Sequence, residues 1–378
     1  MDVKQEEFKL RLPSEILFGC GKLSLLPEKL SPYKVLLLVT GRHFADSEPC
    51  KKLVESLKAS GHEVHSVAGI RGEGPIEDVD KIIAQGRESH AEAVISIGGG
   101  SVMDCGKAAA ALIPLEGSCG EYFSGEKTIP GKGLFFAALP TTSGTGADCT
   151  GNAVLADETT HVKKSLRHPT MTPDLALADP LLSLSCPPPL TAASGLDAFV
   201  QAFECVTSPR SSAYSESLCF RALSLIACNL KKAYEEPENV SARSAMAEAS
   251  LLTGMAFAGT GLGAVHGLAH PVGSLLHVPH GVACAVLIGP VVKWNLPCCE
   301  EKYARMAEVC HFGNSAEAFL DGALHLAESV GVGRNFRSYG LRREHFPFIV
   351  KNCRSSSMKS NPRSMSDEEV ALLLEGLL

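Results

Sequence analysis

Short apolar runs alternate with segments of helical spacing over the first half of the chain. The clearest runs are rich in β-branched or aromatic residues and predict four strands, at 34–40, 62–68, 93–97 and 134–140. Apolar residues at helical spacing predict a helix over 49–61, ending in a glycine suited to a C-cap, and another over 76–89. Such alternation is typical of a parallel sheet covered by helices. The first half is therefore predicted to form an α/β domain.

The pattern changes near residue 186. The proline-rich segment SCPPPL at 185–190 breaks the chain, and long Ala- and Leu-rich stretches follow with little strand character. A final helix is expected after Ser366, because Glu369 three residues later completes a capping box. The sequence thus predicts an α/β domain over residues 1–185 and an all-helical domain over residues 186–378.

Composition and charge exclude several classes of protein. The 378 residues suffice for two to three domains, and 35 basic against 42 acidic side chains give a net charge of −7. No dense basic stripe offsets this acidity, so nucleic acid is not an expected partner. The start of the chain is charged, and the longest apolar runs fall far short of the roughly 18 residues that span a bilayer. We therefore expect a cytoplasmic protein without membrane contact.

The cysteines are numerous but form no recognisable framework. Fourteen are scattered from Cys20 to Cys353 without a C-x-x-C pair, which favours reduced thiols. The vicinal pair Cys298 and Cys299 is interpreted as ordinary rather than as a redox switch.

A glycine turn follows the strand predicted at 93–97. Gly98, Gly99, Gly100 and Ser101 lead directly into a predicted helix. Backbone N–H groups at a helix N-terminus bind phosphate, so this turn is a candidate site for the pyrophosphate of a dinucleotide. It is not the G-x-G-x-x-G fingerprint, and a tight turn alone would also explain it.

A second polar loop follows the strand predicted at 134–140 and supports the nucleotide hypothesis. It consists of Thr141, Thr142, Ser143, Gly144, Thr145 and Gly146. Its hydroxyls can hydrogen-bond ribose and amide groups, while its glycines let a flat ring approach the backbone. Ordinary turns explain either loop alone better than they explain the pair.

The end of the strand at 34–40 bears on which nucleotide is bound. Sheets that bind NAD commonly present an acidic side chain to the ribose 2′-hydroxyl, and that charge repels the 2′-phosphate of NADP. Here Gly41, Arg42 and His43 follow the strand instead. NADP(H) is therefore slightly favoured over NAD(H), although an Arg after a strand is most often a solvated surface residue.

Histidines concentrate between residues 266 and 280. His266 and His270 are four apart and share one face of a helix, and His280 follows. Another predicted helix places Asp197 and Gln201 on one face at the same spacing. A carboxylate and imidazoles can hold a divalent ion, which would assist hydride transfer between a substrate carbon and nicotinamide. Packing histidines with a capping or ion-paired aspartate would explain the same residues.

Together these motifs resemble the iron-containing alcohol dehydrogenase family, whose fold is dehydroquinate synthase-like. The resemblance covers nearly the whole chain and is carried by GGGSVMDCGKA at 98–108, LPTTSGTGA at 139–147 and GAVHGLAHPVGSLLHVPHG at 263–281. It implies an α/β nucleotide-binding domain with a parallel sheet, an all-α domain for metal and substrate, and an NAD- or NADP-dependent reaction on a small alcohol or aldehyde. Members are often homodimers or larger homo-oligomers.

The resemblance also implies roles for individual residues. Asp197, His266 and His280 match metal ligands for Fe²⁺ or Zn²⁺, and His270 matches a catalytic histidine beside nicotinamide and substrate. Gly41, at the end of the strand predicted at 34–40, is also expected to contact the cofactor. The positions matched to cofactor contacts are Gly99, Gly100, Ser101, Asp104, Thr141, Thr142, Ser143, Thr145, Lys164 and Leu182.

One departure from the family pattern concerns the metal. The family carries a histidine four residues after the aspartate, and here that position is Gln201. A glutamine ligates only through its amide oxygen, a weaker donor than imidazole for these ions. The site is expected to bind metal with three protein ligands and water, to use Gln201 as a fourth, to prefer another ion, or to be empty. A metal-free carbonyl site that polarises through hydrogen bonds is a further alternative.

Two other functions are compatible with parts of the sequence. The related architecture of dehydroquinate synthase uses NAD transiently in a lyase, but the histidine pattern here resembles the reductases more closely. A non-catalytic nucleotide-binding protein is the second alternative, since Gln201 departs from the metal pattern. Net turnover of NADPH on an aldehyde separates the dehydrogenase from both.

Overall fold

The structure of the chain is a computed structural model that describes residues 8–160 and 162–378. Residues 1–7, the first part of the charged start on which the expectation of a cytoplasmic protein partly rests, lie outside the described residues. The chain forms two compact units. The α/β unit contains Arg11–Thr142 and Ala147–Ser183, and the helical unit contains residues 8–10, Ser143–Gly146 and Leu184–Leu378. A single boundary at residue 185 therefore does not account for the short segment Ser143–Gly146.

A six-stranded, wholly parallel sheet forms the centre of the α/β unit. Its order is β1-β8-β5-β4-β2-β3, and a separate antiparallel pair is formed by β6 and β7. The strands are β1 (Glu15–Phe18), β2 (Val35–Thr40), β3 (Glu63–Ala68), β4 (Ala93–Gly98), β5 (Phe135–Pro140), β6 (Asn152–Asp157), β7 (Val162–Arg167) and β8 (Leu175–Ala178). The four predicted strands correspond to β2, β3, β4 and β5, which confirms the predicted parallel sheet.

Helices cover this sheet as predicted. They are α1 (Leu26–Lys29), α2 (Arg42–Ala45), α3 (Glu48–Ala59), α4 (Ile76–Glu88), α5 (Gly100–Leu112) and α6 (Cys119–Ser124), with 3₁₀ turns at Lys22–Leu25, Pro169–Met171 and Pro180–Ser183. The predicted glycine cap of α3 is present, because Gly61 adopts φ +91° and its N–H donates to the carbonyl of Lys58.

The order of the strands creates a reversal point next to β2. The chain passes from β2 outward to β3 and then returns to β4 on the other side of β2. Ligands of open α/β sheets bind outside the carboxyl ends of the strands at such a reversal. All six residues of β4 are buried, so β4 is covered on both faces, with Val94 packed in one apolar cluster and Ile95 in another.

The hairpin of β6 and β7 was not predicted. Polar residues interrupt β7, whose sequence VKKSLR alternates exposed and half-buried positions. The buried Lys107 of α5 fixes the segment before the hairpin, since its Nζ donates to the carbonyls of Ala147 (2.7 Å) and Asn152 (2.8 Å). These contacts join residues about forty positions apart, so local periodicity carried no signal for them.

The second unit is built from helices, as expected. They are α7 (Pro188–Thr207), α8 (Ala213–Glu235), α9 (Val240–Thr260), α10 (Ala264–Leu276), α11 (His280–Val309), α12 (Ala316–Ser329), α13 (Phe346–Asn352), α14 (Ser356–Lys359) and α15 (Asp367–Glu375), with 3₁₀ turns at Arg337–Tyr339 and Arg343–His345. The predicted capping box of Ser366 and Glu369 begins α15.

Two features of the helical unit pass a composition test for membrane spans. Among the described residues, α11 alone is long and apolar enough, and 61% of its most apolar window is buried within the protein. The pair α9 and α10 passes only if taken together, across a bend of 105°. A mostly buried helix of this kind is typical of a protein core.

Candidate functional site

The carboxyl ends of β2, β4 and β5 lie side by side and bring the predicted cofactor loops together. Thr40 at the end of β2 pairs with Ile97, and Gly98 at the end of β4 pairs with Pro140. Beyond them, the N–H of Thr141 donates to the carbonyl of Gly98 at 2.9 Å. The two loops are therefore joined by backbone hydrogen bonding at the reversal point of the sheet.

Close contacts extend this neighbourhood to both sides. A Cβ built on Gly99 would lie 3.6 Å from the Thr142 side chain, and one built on Gly41 would lie 3.5 Å from Val102 in α5. Gly99 is the N-cap of α5, whose first turn contains Gly100 and Ser101. The first N–H groups of a helix have no partner within it, and its dipole favours an anion there. This arrangement fits the pyrophosphate of a dinucleotide.

Two glycines of the second loop have a packing role in the helical unit. A Cβ on Gly144 would lie 2.8 Å from the Cβ of Ser194 in α7, and one on Gly146 would lie 2.5 Å from Gly254 in α9. Gly146 also adopts φ +59°. Close helix packing therefore accounts for both glycines, whereas the sequence had suggested room for a flat ring. Ser143 and Thr145 alternate with them in this segment.

Three further cofactor positions have clear structural contacts. Asp104 Oδ2 accepts a hydrogen bond from the N–H of Val154 at 2.9 Å, which ties α5 to β6. Lys164 Nζ lies 4.7 Å from the centre of the Phe123 ring. Leu182 is buried in the apolar cluster on one face of the sheet. Their contacts with a cofactor stay predictions.

Three helices bring the predicted metal ligands together. Asp197 lies on α7, His266 on α10, and His280 is the first residue of α11. Asp197 Oδ1 is 3.3 Å from His266 Nε2 and 3.6 Å from His280 Nε2. A fourth side chain, Cys284, joins this cluster, and one ligand atom from each residue lies within 4.8 Å of every other.

A buried carboxylate orients His266. Glu204 Oε2 is 2.6 Å from His266 Nδ1, while Glu204 Oε1 accepts a hydrogen bond from the N–H of Val265 at 2.7 Å. Histidines that ligate metals are commonly oriented in this way by a carboxylate on the other ring nitrogen. The arrangement directs His266 Nε2 towards Asp197.

The ionisable groups of the cluster influence one another strongly. Burial disfavours the charged form of His266, but Cys284, Glu204 and Asp197 raise its pKa well above the ordinary range. Burial would raise the pKa of Asp197, yet the hydrogen bond from His266 and the charge of His280 lower it. Burial raises the pKa of the Cys284 thiol to about 11, against the influence of His266. A metal that binds His266 Nε2 would therefore compete with a proton for that nitrogen.

Gln201 lies one helical turn after Asp197 and contacts it directly. Its Nε2 donates to Asp197 Oδ2 at 2.9 Å. Its buried Oε1 has no hydrogen-bond partner among the described residues. Buried carbonyl oxygens rarely lack a partner, so this atom fits a ligand or a metal-associated group supplied from outside the chain. The donor set of carboxylate, imidazoles, thiol and amide likewise fits a divalent transition metal.

His270 lies at the edge of the cluster. It follows His266 by one turn of α10, is half-buried, and stacks on His280 with ring centroids 5.0 Å apart and planes at 17°. The structure thus brings His270 together with the predicted metal ligands, as the spacing indicated. Its catalytic role stays a prediction.

Sequence reasoning missed two residues of the site, Glu204 and Cys284. Glu204 follows Asp197 by seven residues on α7, and Cys284 follows His280 by four on α11. Both spacings return to the same helix face. A search along the faces that carry Asp197 and His280 would have found them.

Comparisons with known protein families agree over both units. The family model described as "Iron-containing alcohol dehydrogenase" matches residues 13–180. The family model described as "Fe-containing alcohol dehydrogenase family, C-terminal" matches residues 191–378. The 1,3-propanediol dehydrogenase of Citrobacter freundii is 33% identical over 376 residues, covering 96% of this chain and 97% of that protein. The NADPH-dependent butanol dehydrogenase of Clostridium saccharobutylicum is 30% identical, covering 97% of each.

Solved structures extend the similarity to the fold. A crystal structure of 1,3-propanediol oxidoreductase superposes with a TM-score of 0.93 at 31% identity, covering 99% of this chain and 100% of that one. The sulfoacetaldehyde reductase of Bifidobacterium kashiwanohense, solved in complex with NAD⁺, gives 0.91 at 26% identity, with 99% and 98% covered.

Proposed function

The chain belongs to the iron-containing alcohol dehydrogenase family, and from this premise we propose that Asp197, His266 and His280 hold a divalent metal ion. The chain is an NAD(P)-dependent alcohol dehydrogenase or aldehyde reductase. The observation that carries the metal proposal is the convergence of these three side chains, with Glu204 orienting His266. A bound divalent ion, Fe²⁺ or Zn²⁺, polarises the carbonyl oxygen of an aldehyde or lowers the pKa of an alcohol.

The α/β unit is the proposed cofactor-binding unit. Gly99, Gly100 and Ser101 bind the pyrophosphate through the N-terminus of α5. Gly41 leaves room for a 2′-phosphate, so NADP(H) is preferred, although the relatives' names include both NADPH and NAD⁺. The remaining proposed contacts with the cofactor are made by Asp104, Thr141, Thr142, Ser143, Thr145, Lys164 and Leu182.

The helical unit is the proposed metal- and substrate-binding unit. Gln201 is proposed to lie beside the ion, where its Nε2 holds Asp197 and its Oε1 is left for a group supplied from outside the chain. His270 is the proposed group that exchanges a proton with the substrate oxygen, since its stacking on His280 places its imidazole next to a proposed metal ligand. A bound nicotinamide cofactor would supply the hydride to the substrate carbon or accept it from that carbon.

The substrate is proposed to be a small alcohol or aldehyde, handled in the cytoplasm by a homodimer or larger homo-oligomer. Relatives are named for propanediol and butanol. Strand β1 ends the parallel sheet, and edge strands offer unpaired backbone groups to a second copy. Light scattering of the purified protein measures the oligomeric state.

The proposed function is tested by metal content and activity measured together. Protein purified without chelator is analysed for metal, and oxidation of NADPH and NADH is assayed on short aldehydes before and after EDTA. Stoichiometric metal with EDTA-sensitive activity is expected. Turnover that resists EDTA, in protein without detectable metal, would overturn the metal proposal and leave Gln201 and His270 as hydrogen-bond donors to the carbonyl.

A further inference from the structure

Cys284 lies in the cluster of proposed metal ligands, at a position that the sequence pattern did not assign. It is fully buried on α11, one turn after His280, and its Sγ lies 3.7 Å from His280 Nε2. Its Sγ also lies within 4.8 Å of ligand atoms on Asp197 and His266. The thiol therefore faces the same point as the three proposed ligands.

Three separations within this cluster match those of a four-coordinate metal site, and every other pair of ligand atoms lies within 4.8 Å. Nitrogen and oxygen ligands about 2.1 Å from zinc in a tetrahedron are about 3.4 Å apart, and a sulfur about 2.3 Å from zinc is about 3.6 Å from a nitrogen ligand. The observed separations are 3.3 Å and 3.6 Å from Asp197 Oδ1 to the two histidines. The separation between Cys284 Sγ and His280 Nε2 is 3.7 Å.

The two oxygens of Asp197 divide their contacts between Gln201 and the cluster. Oδ2 accepts the hydrogen bond of the Gln201 amide at 2.9 Å, while Oδ1 faces His266 and His280. Gln201 is thereby engaged through its nitrogen with a residue of the cluster. This hydrogen bond positions Asp197. If Gln201 ligated the ion, its amide oxygen Oε1 rather than its Nε2 would face the cluster.

We propose that Cys284, as a thiolate, is the fourth protein ligand of the metal, in a set completed by Asp197, His266 and His280. The proposal rests on the metal site of the proposed function. Coordination replaces the S–H bond by a sulfur–metal bond, and the proton leaves to solvent. Gln201 is then a positioning residue. A substrate oxygen would then be accommodated by expansion to five-coordination, which zinc sometimes adopts at catalytic sites.

A thiolate in the set has a consequence for the identity of the metal. Sulfur is a softer ligand than imidazole or carboxylate, and thiolates select zinc over harder ions. This chain is therefore expected to retain Zn²⁺ in preference to Fe²⁺ when both are offered at equal concentration. Replacing Cys284 with serine is expected to reduce that preference.

The test measures a sulfur–metal bond directly and does not depend on activity. The full-length protein is stripped of metal, loaded with Zn²⁺ or Co²⁺, and dialysed. X-ray absorption of the zinc form is expected to show one sulfur at about 2.3 Å. The cobalt form is expected to show a near-ultraviolet thiolate-to-cobalt charge-transfer band. Both measurements use the unmodified protein, so they hold even if a variant fails to fold.

Variants assign the signal to one cysteine. C284S is expected to lose the sulfur signal and to bind Zn²⁺ at least about tenfold more weakly. C310S is the matched control, since Cys310 is another buried cysteine, at the end of the same helix. C310S should keep both the sulfur signal and the Zn²⁺ affinity of the unmodified protein. Q201A should keep the sulfur signal.

The outcomes separate this inference from the proposed function. One metal per chain without any sulfur signal would overturn the role of Cys284 and leave the metal site in place. A sulfur signal that persists in C284S would do the same. Failure of the unmodified protein to retain either metal would overturn both proposals.

Discussion

Glu204 and His266 are joined by a 2.6 Å contact between Oε2 and Nδ1, and this contact determines which ring nitrogen faces Asp197. A carboxylate only accepts hydrogen bonds, so Nδ1 carries the proton and donates it. In the neutral ring, the lone pair is then on Nε2, which lies 3.3 Å from Asp197 Oδ1. Glu204 therefore prepares His266 to bind a metal.

Replacing Glu204 with glutamine removes the carboxylate that keeps the ring proton of His266 on Nδ1. The amide cannot accept from both Val265 N–H and His266 Nδ1, so one of the two contacts is mismatched. If the amide donates to Nδ1, the ring proton moves to Nε2, where the metal should bind. E204Q is expected to lower metal affinity by about 10- to 100-fold, measured by competition with a chromophoric chelator.

Asn361 provides the control for Glu204. Its Oδ1 accepts a hydrogen bond from the N–H of Ala264 at 3.1 Å, at the start of the same helix as His266. N361S should lower the thermal midpoint and leave the metal affinity unchanged. Equal metal affinity in E204Q and the unmodified protein would contradict the orienting role of Glu204.

Gly41 predicts which nucleotide the enzyme prefers. Its φ of −72° is ordinary for any residue, and an added Cβ would meet Val102 only at 3.5 Å. G41D should therefore fold, and its carboxylate should repel the 2′-phosphate of NADPH. We expect the KM for NADPH to rise about tenfold or more while the KM for NADH stays level or falls, measured in steady-state assays.

G41N, which is nearly isosteric with G41D, separates the effect of charge from the effect of side-chain size at this position. G41N places a similar side chain at the end of β2 without the negative charge. It should change the ratio of the two KM values much less than G41D. A similar loss with both variants would mean that space, rather than charge, governs the preference.

Much of the fold was predictable because its signals are local. The buried strands β2 and β4 are continuous apolar runs, and the capping box of Ser366 lies within four residues of sequence. The spacing of Asp197, His266 and His270 likewise indicated helix faces that the structure contains. Local periodicity and short-range caps are therefore enough to predict a parallel α/β half followed by a helical half, but not the assignment of Ser143–Gly146 to the helical unit.

Other features depend on contacts between distant residues and were not predictable from periodicity. The hairpin of β6 and β7 is held by Lys107 and Asp104 on α5. The ligand atoms of Cys284 and Asp197 lie within 4.8 Å of each other because α7 packs against α11. The sequence contained these residues but not the helix packing that joins them.

Asp148 predicts a pH-dependent cost to stability. Burial raises its pKa to about 6 from 3.8, with the positive charge of Lys107 opposing the shift. Since the folded state holds this proton more tightly, stability falls as pH rises from about 4 to about 6 and is then level. D148N should be more stable than the unmodified protein at pH 7.5, and its advantage should shrink by about 2 kcal/mol at pH 4.5. Urea unfolding at the two pH values measures this, and an equal advantage at both would contradict it.

Substitution of His270 tests proton transfer separately from metal binding. Its ring stacks on His280 at 5.0 Å between centroids, but the proposed ligand set does not include it. Glutamine keeps a hydrogen-bonding group and cannot titrate near neutral pH, so H270Q should retain its metal. Loss of a general acid–base group lowers kcat by about 10²- to 10⁴-fold and removes the corresponding limb of the pH–rate profile.

H277N is the control, because His277 is exposed at the end of α10 with φ +53°, which asparagine tolerates. If H270Q lost rate but kept the full pH profile, His270 would be positioning the substrate, and the proton would pass through another group.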